Sequence, residues 1–242
     1  MSGEPAWPAP GRFHAGRPQD LREAPPWHRL AYIVRKLPVV LEELARDLEV
    51  PAGGRVLDYG CADVPYRHFF AEGVEYVPAD LPGNPHASVE VRPDGSVPLP
   101  DDSFDAVMST QVLEHVDDPG LHLAESFRVL RPGGRLLLST HGMMVYHPDP
   151  VDYWRWTCAG LERIVREAGF EVVRLEGVMG LAGTGLQLLQ DAVYYYLPRR
   201  LQHALALVIQ TLIAVAERFE PWGGRELNAL VFAIVARKPV SP

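Results

Sequence analysis

The chain has 242 residues, 47% of them hydrophobic and 22% charged, with a formal net charge of −8. That length suits one well-buried α/β core with additions, and an acidic chain without a run of Lys or Arg does not fit a nucleic-acid partner, which needs a clustered basic surface. Cys61 and Cys158 lie far apart and make neither a disulfide framework nor a paired zinc motif, so a reducing, cytoplasmic setting is expected.

Met1 to about Pro26 is rich in Pro, Gly and Ala and lacks the apolar core of a signal peptide. It reads as a flexible arm before a single domain over 27–242. From His28 to Val50 apolar residues recur at helical spacing on both sides of Pro38, which predicts two helical pieces broken at the proline. The chain then alternates. RVLDYG is a strand, RHFFAEG a short helix, EYVPADL a second strand and FDAVMSTQ a third. PGLHLAESFRVLRPGG is a helix ending in an RPGG turn, and GRLLLSTHG the next strand. TCAGLERIVREAGF is a helix with Thr157 as N-cap and Gly169 as its stop. FEVVRLEGV and ALVFAIVARK close the series as strands. Such alternation predicts a Rossmann-like, doubly wound α/β fold: a mostly parallel sheet of seven strands with helices on both faces.

Residues 183–222 interrupt the alternation with a long apolar helical stretch before the last strand, read as a cover for the site or a homodimer surface. Within it Leu201–Ala216 lacks charged side chains but carries Gln202, His203, Gln210 and Thr211. It is shorter than the ~20 residues that span a bilayer, so no transmembrane segment is expected.

After the first strand a dinucleotide would need G-x-G-x-x-G, with glycines where the backbone meets pyrophosphate. This chain reads G-C-A-D-V-P, with Ala62 and Val64 where glycines would stand. A cofactor bearing ammonium, sulfonium and ribose hydroxyls asks for carboxylates instead. Asp58, Asp80 and Asp94 supply three acids around the expected crevice, Asp80 at a strand end where an acid grips a ribose.

VLDYGCADVPY, EYVPADL, LPDDSFDAVMSTQVLEHVDDP and FRVLRPGGRLLLST together resemble the successive motifs of class I S-adenosylmethionine-dependent methyltransferases, over about Gly54 to Val178. The branch they most resemble, methyltransferase type 11-like, acts on small molecules in sugar, polysaccharide and natural-product (antibiotic) pathways. The resemblance implies S-adenosylmethionine as cofactor. It places Asp58, Gly60 and Ala62 along the methionine part, Asp80 on the ribose hydroxyls and Leu81 beside the adenine. It further places Asp94 and Gly95 at the adenine edge, Gln111 and Val112 along the methionine, and His115 nearby, with Tyr66 filling space that glycines leave elsewhere.

STHGMMVYHPDPVDYWRWT, Ser139–Thr157, follows a strand end and gathers aromatic and titratable groups. Tyr146, Tyr153, Trp154 and Arg155 are candidates for binding a polar acceptor. His141, His147 and Asp152 are candidates for the base that takes its proton. Asp152 and Arg155 can equally form an ion pair that shapes the loop. His141, His147, Asp149 and Asp152 are metal-ligand types, but their spacing matches no metal motif, so no metal is expected.

The function expected is methyl transfer to a small polar acceptor, a sugar, amino sugar or aminoglycoside-type intermediate, on nitrogen or oxygen. The alternatives are a lipid-linked or aromatic acceptor, a NAD(P)-dependent oxidoreductase and a non-catalytic cofactor-binding module. The oxidoreductase lacks both the further glycines and a Y-x-x-x-K pair.

Overall fold

The computed structural model describes residues 24–147, 151–219 and 224–240; the expected arm lies almost wholly outside them. The strands are β1 (Arg55–Tyr59), β2 (Glu75–Asp80), β3 (Val89–Glu90), β4 (Phe104–Thr110), β5 (Leu130–His141), β6 (Glu171–Val178) and β7 (Val231–Arg237). They form one sheet in the order β3-β2-β1-β4-β5-β7-β6. β1 to β5 pair in parallel, and β7 runs antiparallel between β5 and β6.

Helices cover both faces, so alternate strand residues enter different cores. Val56, Ala106, Met108 and Leu137 pack under α1 (Ala31–Arg46) with Ile209 and Ile213 of α5 (Arg199–Phe219). Leu57, Val107, Leu136 and Leu138 pack under α2 (Pro119–Val129) and α3 (Cys158–Glu167). Local chemistry fixes the helix ends. The Asp118 carboxylate accepts from Gly120 N and Leu121 N before Pro119, Thr157 caps α3 through Gly160 N, and Gly169 leaves it at φ +97°. The remaining helices are α4 (Leu181–Tyr194) and the short α6 (Gly224–Leu227).

Three sequence expectations need correction. α1 runs unbroken through Pro38. A proline ring suits helical φ, and the hydrogen bond it removes is offset by Leu37, Leu41 and Leu44, which bury both halves against the sheet. RPGG does not separate a helix from a strand but lies inside β5, where the ladder to β4 jumps from Leu130–Phe104 to Arg135–Ala106, with Gly133 at φ +83°. RHFFAEG forms only a 3-10 turn, Arg67–Phe69.

The strand order reverses direction between β1 and β4. Loops leaving their carboxyl ends diverge and open a crevice, the place where such sheets bind ligands.

Candidate active site

A cavity of about 1420 Å³ opens at that crevice. Ligand pockets usually hold ~300–1,000 Å³, so this one has room for two molecules side by side. Its walls include Gly60, Ala62 and Tyr66 after β1, Asp80 and Leu81 after β2, Asp94 and Gly95, and Gln111, Val112 and His115 after β4. His141, His147 and Tyr153 complete the floor. Trp27, His28, Tyr194, Tyr195, Arg199, Gln202 and His203 come in from the start of α1 and from α4–α5.

The first loop keeps a glycine-like path with a single glycine. Gly60 sits at φ +91°, Ala62 at +47° and Val64 at +56°. Left-handed backbone is costly for a side chain with a Cβ, most of all a β-branched one. Asp80 holds the loop in place: its Oδ2 accepts from Ala62 N at 2.8 Å and Asn84 Nδ2 at 2.7 Å, its Oδ1 from Leu81 N at 2.7 Å. Gly60 is required sterically, since a Cβ there would come within 2.3 Å of Val112 Cγ2. The loops after β1 and β4 therefore touch without room for a methyl group.

Asp58 is not part of the cavity wall. It is buried behind it and accepts from Tyr76 Oη at 2.5 Å. Burial pushes its carboxyl up to about 7, against the lowering effect of that hydrogen bond. The acids expected at the crevice thus reduce to Asp80 and Asp94, because Asp58 points into the core packed by α1. Asp94 accepts from Ser96 N and Ser96 Oγ, which hold its carboxyl below the usual range. Gly95 O accepts from Tyr59, whose ring stacks on His122 with centroids 4.1 Å apart.

His115, His141 and His147 form a triangle with ring centroids 5.9–6.4 Å apart. Beneath it lies Glu114, wholly buried and missed as a site residue in the sequence. Its Oε2 accepts from Thr140 Oγ1 at 2.9 Å, and its Oε1 lies 3.3 Å from His141 Nε2 and 4.0 Å from His115 Nε2. Burial pushes Glu114 up to about 7 and His141 down to about 3. His141 is therefore neutral at neutral pH. Its Nδ1 is buried without a hydrogen-bond partner among the described residues.

The loop that follows is shaped by the Asp152–Arg155 ion pair, one of the two readings its sequence left open. The Asp152 carboxylate receives both terminal nitrogens of Arg155, and its Oδ2 also accepts from His147 N at 2.6 Å. Arg155 donates further to Met144 O at 2.7 Å and Val145 O at 2.6 Å. Asp152 is thus a clip that fixes the backbone at His147. Tyr146, Trp154 and Arg155 stay outside the wall; Trp154 Nε1 donates to Val116 O at 2.8 Å. Of the four substrate candidates only Tyr153 lines the cavity. Asp149 lies outside the described residues, among which no three or more His, Cys, Asp or Glu are arranged to hold a metal ion.

The donor set fits S-adenosylmethionine. Two carboxylates and the backbone of a glycine-poor loop form the first wall, chemistry suited to ribose hydroxyls and a cationic ligand rather than to a pyrophosphate. The sequence reading of 183–222 as a cover for the site named the α4–α5 stretch but not its lining residues, and Asn84, which supports the loop through Asp80 and Ala62, carries no motif.

Residues 27–175, more than half of the chain, match the family described as a methyltransferase domain. The chain is 34% identical over 169 residues to a Mycolicibacterium smegmatis protein named as a "probable S-adenosylmethionine-dependent methyltransferase". That match covers 63% of this chain and 64% of the relative, so the chain spans less than two thirds of that relative's length. Two solved structures share the fold. Haemonchus contortus phosphoethanolamine N-methyltransferase 2, with phosphomonomethylethanolamine and S-adenosylhomocysteine, aligns at TM-score 0.57 and 16% identity over 84% of this chain and 53% of that one. The cyclase SpnF aligns at TM-score 0.54 and 21% identity over 84% of this chain and 81% of that one, so the fold alone does not dictate the reaction. The family match settles the membership: this chain belongs to the methyltransferase-domain family, in its class I S-adenosylmethionine-dependent form.

Proposed function

We propose that the protein transfers a methyl group from S-adenosylmethionine to the nitrogen or oxygen of a small polar acceptor, a sugar or amino sugar of the kind found in natural-product intermediates. The observation that carries this reading is that one cavity joins the Asp80–Asp94 wall to the histidine triangle, with volume for both reactants. The cofactor supplies an electrophilic methyl group on its sulfonium. Asp80 takes the ribose hydroxyls, Asp94 and Gly95 the adenine edge, and Gln111 and Val112 the methionine moiety. Tyr153 and the histidines orient the acceptor, with Glu114 beneath them to share its proton. Holding two reactants in line is worth several kcal/mol, and a positioned base adds ~10²–10⁴-fold.

Calorimetric titration with S-adenosylhomocysteine tests the cofactor assignment. Asp80→Asn keeps the size of the side chain but only one acceptor oxygen for the donors of the loop, and Asp80→Ala removes both oxygens. Both are expected to weaken binding, the alanine by about tenfold or more, as for a lost charge-assisted hydrogen bond. Unchanged affinity in both overturns the role of Asp80. Transfer of label from methyl-labelled cofactor to a sugar-bearing product supports the acceptor class, and a labelled product without a sugar overturns it.

A further inference from the structure

Beside the buried apolar Ala206, Ile209 and Ile213, the hairpin α4–α5 turns polar side chains inward and apolar ones outward. Thr184, Gln187, Gln190 and Asp191 of α4 are buried, as are Gln210 and Glu217 of α5. Leu189, Val193, Val208, Leu212, Val215 and Phe219 are exposed. A surface helix normally shows the reverse. Most of the polar inner side is hydrogen-bonded. Gln210 Nε2 donates to Arg29 O at 2.8 Å and to Gln187 Oε1 at 2.9 Å, and Gln190 Nε2 donates to Arg29 O at 2.8 Å. Arg29 pairs with Asp191 at 2.6 Å. The apolar outer side has no counterpart among the described residues, and a contiguous patch of that kind marks an interaction surface.

Charge selects the occupant. The acids between Leu181 and Phe219 are Asp191 and Glu217; both are buried, and they pair with Arg29 and Arg225. The exposed charges of the span are Arg199, Arg200 and Arg218, on a protein of net charge −8. Tyr195 and Tyr196 stand beside them, Tyr196 at 88% exposure. An apolar face rimmed by arginine and tyrosine is the chemistry of a helix lying on an anionic lipid surface. A second copy would set the same arginine rim against itself across a two-fold axis. No described helix is long and apolar enough to cross a membrane, so the hairpin would lie along the surface rather than span it.

Two members of the rim, Tyr195 and Arg199, also line the cavity, beside Trp27 and His203. We propose that the α4–α5 hairpin seats on an anionic lipid surface and turns the cavity mouth towards a methyl acceptor carried on a lipid anchor. This rests on the methyl-transfer reading above and adds where its acceptor is held.

Flotation with vesicles of phosphatidylcholine, and of equal parts phosphatidylcholine and phosphatidylglycerol, tests it with the full chain. Binding is expected to the anionic vesicles and to weaken with salt. Leu189→Asp with Val208→Asp is expected to weaken it about tenfold or more. Arg200→Gln with Arg218→Gln is expected to weaken it several-fold on anionic vesicles only. S-adenosylhomocysteine affinity serves as the control, since none of the four residues lines the cavity. Absence of flotation by a protein that still binds S-adenosylhomocysteine overturns the docking, as does a stable dimer that the aspartates dissociate. Vesicle binding with methyl label recovered only in water-soluble product overturns the lipid-anchored acceptor. A protein that floats but never binds S-adenosylhomocysteine overturns the methyl-transfer reading instead.

Discussion

Val64 holds φ +56° in the first loop, a conformation that costs an L-residue ~1–2 kcal/mol. It is held there because Asp80 takes Ala62 N and Asn84 Nδ2 donates to Ala62 O at 2.8 Å, leaving the chain one path around the cavity wall. Val64→Gly should therefore raise stability by about 0.5–1 kcal/mol after its entropic cost, read as a higher urea midpoint. Gly60 is the opposite case, because any Cβ meets Val112. The sequence exposed the missing glycines but not their consequence, since whether alanine and valine take the glycine conformation depends on the Asp80 bonds. Glu114 illustrates the same limit. Nothing in its place beside His115 marks it, and only the packing of β4 and β5 buries it against His141.

At the scale of elements, α1 begins without a side-chain cap of its own. Its Tyr32 N instead donates to Gln210 Oε1 of α5 at 2.8 Å, so a helix distant in sequence satisfies one of the orphan donors of its first turn. Gln210→Leu should leave Tyr32 N without its partner, while Arg29 O keeps Gln190 Nε2, and cost ~1–3 kcal/mol, measured as a lower denaturation midpoint. The loss should also loosen the cavity wall made by Trp27 and Tyr195, and so weaken S-adenosylhomocysteine. Elements with local signals were legible: Thr157 and Gly169 bound α3, and Asp118–Pro119 opens α2. Pro38 misled because burial on both sides outweighs one lost hydrogen bond, a comparison periodicity does not contain.

For the molecule as a whole, two buried carboxyls, Asp58 and Glu114, are each pushed up to about 7 by burial. Their ordinary values are 3.8 and 4.5. The native state then binds more protons than the unfolded chain between those values and 7. The contribution is full below the unfolded pKa and is lost as pH rises through the folded one. Urea midpoints should fall from pH 5 to pH 8, and Glu114→Gln should flatten that fall; an equal slope in both proteins would show that Glu114 does not titrate there. The sequence by itself determined the α/β alternation, the family motifs and the carboxylate character of the first wall, because period, turn chemistry and motif spacing act over a few residues. Only the tertiary structure decided that Asp58 lies behind the wall, that Asp152 clips Arg155, that Glu114 joins the histidines and that the apolar face of α4–α5 points outward. Each of these depends on which surfaces meet across the sheet, and burial and electrostatic environment are set by partners distant in the chain.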